Sequence, residues 1–307
     1  MKNTINFYYN IFLDELIKKD NCYYFYYGGD EYYFVPLNRP YDDVQGIYKL
    51  NLEMKKRRCL VHELVLNKDK SIITVVNGIS YVLIRLCKYK NDKVFLNDIN
   101  YIQNMTVNIE CDKSLVRDDW IKLWSEKIDY YEYQISQVGK KYPLLCDSLS
   151  YFIGMGENAI SYLVNNLDSK TNVNLVVSHK RIYQERGSLN FYDPLNFVVD
   201  NRVRDVAEFI KETFYNKTLN LYDLKSYFNM ANLNKNEYIL LLGRLLFPTY
   251  YFDIYDDIIN NGKSEELVIN IIDRTDEYES LLNTIYKFIL YEKKVRLEPI
   301  EWLQDKN

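Results

Sequence analysis

From Trp120 onward the apolar residues change period. Trp120, Trp124, Ile128, Tyr131, Ile135 and Val138 step by 4, 4, 3, 4 and 3 residues, which places them on one face of a long amphipathic helix. Upstream of that point the pattern is β-like. Residues 22–27 (CYYFYY) and 31–37 (EYYFVPL) flank Gly28-Gly29-Asp30, two β-prone runs around a turn, and predict a hairpin. Asp42 then caps a predicted helix reaching about Arg58, with Val44, Ile47, Tyr48 and Leu52 at near-helical spacing. Residues 61–66, 71–76 and 79–86, separated by polar turn residues, predict an antiparallel meander. A chain whose period switches once in this way folds as α+β, with strands first and helices after.

Its 307 residues are enough for two domains. The switch puts the expected boundary near 100–116, giving a β-rich lobe at 1–104 and a helical lobe at 105–307. Helices are predicted at 149–166 and from Val203 to Phe214, and helix follows helix to about residue 294. A short β-like patch falls at 173–178 and an irregular stretch runs to 201. The net charge of −4 and the pI of about 5.5 disfavour a general nucleic-acid coat, which needs a basic excess. No 18-residue apolar run occurs and the first twenty residues lack the apolar core of a signal peptide, so neither a membrane span nor a leader is expected. The five cysteines are scattered with no CxxC pair, as expected of reduced thiols in the cytoplasm.

Most chemical motifs fail on inspection. Gly154-Met155-Gly156-Glu157-Asn158-Ala159 spells GxGxxA, but a dinucleotide site needs a strand leading into it and an acidic residue about twenty positions on. The lead-in here is helical and no such acid follows, so close helix packing is the better reading. There is no P-loop and no GxSxG elbow. With two histidines in the chain, a His-rich metal site is impossible, and Cys59 and His62 are read as structural.

The informative stretch is 173–209, VNLVVSHKRIYQERGSLNFYDPLNFVVDNRVRDVAEF. A β-like run enters His179, a loop follows, then an apolar segment, an aspartate and a helix. That layout resembles the catalytic segment of the aminoglycoside and choline phosphotransferases, whose signature is H-G-D-x-x-x-x-N, I-D-[WF] and G-D-P-x-x-D-L-A. The chain is more similar still to the spore-coat-associated kinase-like proteins of the CotS and YutH type. Tyr151 to Ile160 (YFIGMGENAI), Ser178-His179, Arg204-Asp205-Val206-Ala207-Glu208, Arg244 to Phe252 (RLLFPTYYF) and Pro299 to Leu303 (PIEWL) carry the resemblance, in the family's order, across the C-terminal half. The resemblance implies a protein-kinase-like fold with a small antiparallel β-rich N-lobe and a larger helical C-lobe.

Laid on that signature, His179-Lys180-Arg181 stands at H-G-D, Arg186 at the following Asn, Leu195-Asn196-Phe197 at I-D-[WF], and Asp200 to Ala207 at the last block. Phosphoryl transfer needs a carboxylate base, oxygen ligands for Mg²⁺ and a lysine on the third strand. The base position here is Arg181, which cannot accept a proton. The metal positions are Arg186 and Asn196, and Mg²⁺ requires oxygen donors. Residues 31–37 offer Pro36 and no lysine. His179 and Asp205 are expected to be architectural, with Asp205 hydrogen-bonded to the loop at 179–190. Lys180, Arg181 and Arg186 are expected to bind an anion without metal or cofactor.

The expected function is therefore a catalytically dead kinase-like protein that binds an anionic small molecule or a protein partner, but neither nucleic acid nor membrane. It would be cytoplasmic, or in the spore coat if the organism sporulates. The alternative is an atypical phosphotransferase that takes ATP with Mg²⁺ and uses Asp193 and Asp200. A third reading is a non-catalytic binder of small molecules in the interlobe cleft.

Overall fold

The computed structural model describes residues 1–89, 92–168, 174–185 and 187–304. In chain order the main elements are α1 (Lys2–Tyr9), β1 (Ile17–Lys19), β2 (Cys22–Tyr27), β3 (Asp30–Pro36), α2 (Tyr41–Lys56), β4 (Glu63–Val65), β5 (Ile73–Val76), β6 (Ile79–Arg85), α3 (Leu96–Thr106), α4 (Trp120–Val138) and α5 (Pro143–Asn166). They continue with β7 (Leu175–His179), α6 (Gly187–Phe191), β8 (Phe197–Asn201), α7 (Val203–Tyr215), α8 (Leu221–Ala231), α9 (Lys235–Leu246), α10 (Thr249–Asn261), α11 (Ile269–Ile272) and α12 (Thr275–Lys287). Contacts group residues 1–117 with 175–200, and 118–174 with 201–307. The strand–loop–strand segment 175–200, which the sequence reading assigned to the helical lobe, thus belongs to the first unit.

In the first unit the strands run in the order β1-β2-β3-β6-β4, with β5 also on β6, and every pairing is antiparallel. The predicted hairpin is present. Tyr27 pairs with Asp30, and Gly28 and Gly29 both have positive φ, 61° and 85°, the backbone a two-residue primed turn demands. Asn77-Gly78 makes a second such turn, at 49° and 79°. Strand β1 escaped the sequence reading, so α2 follows the third strand rather than the second. Helix α1 escaped it too. Its Ile5 is fully buried against Phe25 and Phe34 of the sheet, an anchor that a single buried residue in an eight-residue helix scarcely advertises. The expected hinge at 100–116 is in part helix α3.

His62 ties this unit together. It is 1% exposed; its Nε2 donates to Leu189 O at 3.0 Å and its Nδ1 accepts from Cys87 N–H at 3.1 Å. Both ring nitrogens are spent on backbone, which fixes the neutral tautomer with hydrogen on Nε2. Burial pushes its pKa down to about 4, although the Leu189 carbonyl acts against that.

The second unit is helical. The GxGxxA run lies in mid-helix on α5, with no strand before it. A Cβ on Gly156 would come within 2.9 Å of Ile128 Cδ1, so this glycine permits close packing of α5 on α4. Gly243 of α9 plays the same part more severely, because an added Cβ would sit 2.4 Å from Leu163 Cδ2. Gly243→Ala is expected to destabilise the protein by about 1–3 kcal/mol, despite alanine's better helix propensity. The check is a lower urea midpoint at unchanged slope.

Helix α9 begins in a capping box. Asn234 Oδ1 accepts from Glu237 N–H at 2.9 Å and Glu237 Oε2 accepts from Asn234 N–H at 2.8 Å, satisfying two otherwise orphaned donors. Among the described residues no helix is long and apolar enough to cross a membrane.

Candidate functional site

The predicted catalytic segment starts from β7, which pairs with β8. The run LVVSH supplies buried Val176 and Val177, and Val177 N–H donates to Thr106 Oγ1 at 3.0 Å. His179 closes the strand. Its ring stacks on Phe191 at 4.3 Å between centroids, meets Phe197 edge-on at 5.3 Å, and its Nε2 lies 2.7 Å from Phe191 O. Held on several sides within a buried aromatic cluster, His179 has the geometry of a packing residue.

The loop after β7 is closed across its base by Asn196. Lys180 N–H donates to Asn196 O at 2.8 Å. The Asn196 side chain takes Arg181 N–H on Oδ1 at 3.3 Å and gives Nδ2 to Arg181 O at 2.8 Å. Its amide is thus engaged with backbone at both ends. Arg181 folds back on its own loop, with Nη1 donating to Lys180 O at 2.6 Å. Further along, Gly187 has φ 52° and a Cβ there would fall 1.5 Å from Asp92 O, so this turn requires glycine.

Asp193 caps the short turn Pro194–Asn196, its Oδ1 accepting from Leu195 N–H at 2.9 Å. Burial pushes its carboxyl up to about 6, against the opposing pull of the Leu195 N–H and of the Arg39 and His179 charges. Arg39 follows the end of β3, just before Pro40 opens α2. Its side chain is fully covered, with Nη2 3.3 Å from Asp43 Oδ2, and among the described residues none of its three guanidinium nitrogens has a hydrogen-bond partner. Lys180 is half-buried. Burial and then the neighbouring Arg39 bring its pKa down to about 8, with Arg117 and Arg181 acting the same way and Asp43 opposing.

The structure therefore gathers Lys180, Arg181, Asn196 and Asp193 in the first unit and adds Arg39, Asp43 and Arg117, which the sequence reading missed. Four segments far apart in sequence meet there, and no spacing rule links them. Asp200 is fully buried within β8 and Asp205 is buried in the first turn of α7 in the second unit. Arg186 lies outside the described residues. Among the described residues no group of three or more His, Cys, Asp or Glu side chains could hold a metal ion.

Asp193 yields a direct test. Its folded pKa, about 6, exceeds the ordinary 3.8. The carboxyl is therefore tolerated below pH 3.8, and stability is lost as pH rises through about 6. Asp193→Asn keeps an oxygen for Leu195 N–H and removes the partly buried charge. At pH 7 it is expected to stabilise the protein by on the order of 1–3 kcal/mol, a gain that vanishes below about pH 4 in thermal melts.

Comparison with known proteins places these features in context. A family model described as "Spore coat putative kinase YutH" matches residues 2–285. The endospore coat-associated protein YutH of Bacillus subtilis (strain 168) is 30% identical over 207 residues, covering 60% of this chain and 61% of that protein, so the match spans less than two thirds of the relative's length. Among solved structures, an aminoglycoside phosphotransferase from Alicyclobacillus acidocaldarius aligns with TM-score 0.63 at 9% identity, covering 92% of this chain and 94% of that one. A spectinomycin phosphotransferase solved with ADP and spectinomycin aligns with TM-score 0.59 at 9% identity, covering 86% and 89%. At such identities the likeness concerns the fold, which is the kinase-like one that the motif order implied.

Proposed function

The chain belongs to the spore-coat YutH family with a kinase-like fold, and from that premise we propose that it works by binding and does not transfer phosphate through the usual kinase site. The observation that carries this reading is the state of the loop after β7. At the position where the family signature needs a base stands Arg181, a permanent cation whose guanidinium is turned onto the Lys180 carbonyl. At the position of a metal carboxylate stands Asn196, whose amide is engaged with the Arg181 backbone. Mg²⁺ needs hard oxygen ligands, and positive charge at this spot repels it. The site is suited to holding an anion, and the protein would act as a scaffold associated with the spore coat, like its relative from Bacillus subtilis.

One observation favours a second reading, an atypical phosphotransferase. The Asp193 carboxyl, pushed up to about 6, lies in the range of a working general base. The test is incubation with labelled ATP, Mg²⁺ or Mn²⁺, and a panel of aminoglycosides, choline, sugars and acceptor proteins. Silence supports the binding role. Turnover abolished by Asp193→Ala or Asp200→Ala sinks it. Coat association is tested by imaging a fluorescent fusion through sporulation; a signal that never reaches the spore surface rejects it.

A further inference from the structure

Arg39 is a buried charge of the first unit that the described residues leave poorly satisfied. Its side chain has no exposed surface, yet among the described residues its three nitrogens lack hydrogen bonds and its ion pair with Asp43 is long at 3.3 Å. Leaving a guanidinium in that state is costly, and an unsatisfied buried group of this kind commonly marks a place where an ion belongs. Lys180 is the second such group. It is half-buried, and its ammonium has no hydrogen-bond or ion-pair partner among the described residues. Arg117 and Arg181 add positive charge, although their guanidinium groups also serve carbonyls: Arg117 donates to Ser114 O at 2.6 Å and to Val116 O at 2.8 Å. Asp43 and Asp193 are the carboxylates in this group, so four cationic side chains face two acids.

We propose that this cluster is a metal-independent site for a phosphate-type anion, with Lys180 touching the anion at the rim and Arg39, held by Asp43, supplying the buried charge behind it. The proposal rests on reading this region as a binding site and names the class of ligand. Phosphate chemistry fits better than a carboxylate because the uncompensated charge exceeds one, and a dianion with several acceptor oxygens answers both cations at once. Arg39 is thus a positioning charge with a role that no strand lysine fills: β3 ends at Pro36, and the cation comes from the turn that follows.

The experiment is titration calorimetry of the full chain with pyrophosphate, inorganic phosphate and ADP, in the presence of EDTA and at two salt concentrations. Pyrophosphate is expected to bind without metal, and more weakly at high salt. Lys180→Met is expected to weaken it by about tenfold or more. Arg39→Met should weaken it as well, Arg39→Lys should retain most of it, and Asp193→Asn, which deletes a nearby negative charge, should tighten it. Preference for ADP over both inorganic anions would identify a nucleotide as the source of the phosphate; equal binding of phosphate would identify the free ion. Binding that appears only when Mg²⁺ replaces EDTA, or that Lys180→Met leaves unchanged, overturns the proposal. Should Arg39→Met fail to fold, Lys180→Met and Asp193→Asn still decide. Turnover of ATP would remove the binding-only role while leaving metal-free pyrophosphate binding intact, so the two readings fail separately.

Discussion

Glu208→Ala is expected to cost about 3–5 kcal/mol, the range for a buried ion pair that loses one partner. Glu208 lies on α7, 7% exposed. Its Oε1 accepts from Arg244 Nε at 2.8 Å, and its carboxylate takes Thr249 Oγ1 at 3.1 Å and stands 3.5 Å from Lys211 Nζ. Lys211, 2% exposed, donates to Phe247 O at 2.9 Å and to Thr249 Oγ1 at 2.8 Å. Arg244 also lies over the Trp120 ring, 5.0 Å from its centroid. One carboxylate therefore serves two buried cations, and its removal takes a counter-charge from each. Equilibrium denaturation in urea measures the loss. The companion variant Arg244→Met should be nearly as damaging, and the two together should cost less than the sum, because neutralising both partners removes the stranded charge. A sum that is simply additive would mean that the pair is not coupled.

The second large effect is a dependence on pH. His62 titrates near 6.5 when exposed and near 4 in the folded protein. Its folded pKa is depressed, so between those values the unfolded chain binds more protons. The stability it contributes is complete above pH 6.5 and is lost as pH falls from 6.5 through 4. A shift of that size corresponds to on the order of 3 kcal/mol. Denaturation midpoints should fall across this window, and His62→Gln should flatten the fall while lowering stability at pH 7 by about 1–3 kcal/mol, because the Cys87 N–H and Leu189 carbonyl lose their partner. Asp193 acts with the opposite sign over an overlapping range. The clean experiment therefore measures His62→Gln in the Asp193→Asn background.

Gly28-Gly29 and Asn77-Gly78 announce their hairpins because positive φ is cheap only for such residues. Trp120 to Val138 announces α4 because burial on one face of a helix repeats every three or four residues. His179 could be placed at the end of a strand because an apolar run leads into it and the motif order follows. These features are local, so a local pattern suffices. The substitutions at Arg181 and Asn196 were equally legible, since identity alone says that neither can act as a base or a hard-metal carboxylate.

The rest depended on contacts between distant segments. The run 175–200 packs with residues 1–117, although its neighbours on both sides belong to the other unit. Strand β1 is three residues long and wholly exposed, too short to show a period of two. Arg39 stands between Asn38 and Pro40 with nothing to mark it. Only folding buries it and brings it within the field of Lys180 and Asp193. Residue identity by itself determined that Arg181 cannot accept a proton and that position 196 carries no carboxylate, because these are properties of single side chains. What the site could hold was decided by the tertiary structure, because the energy of a buried charge depends on which other charges and donors surround it.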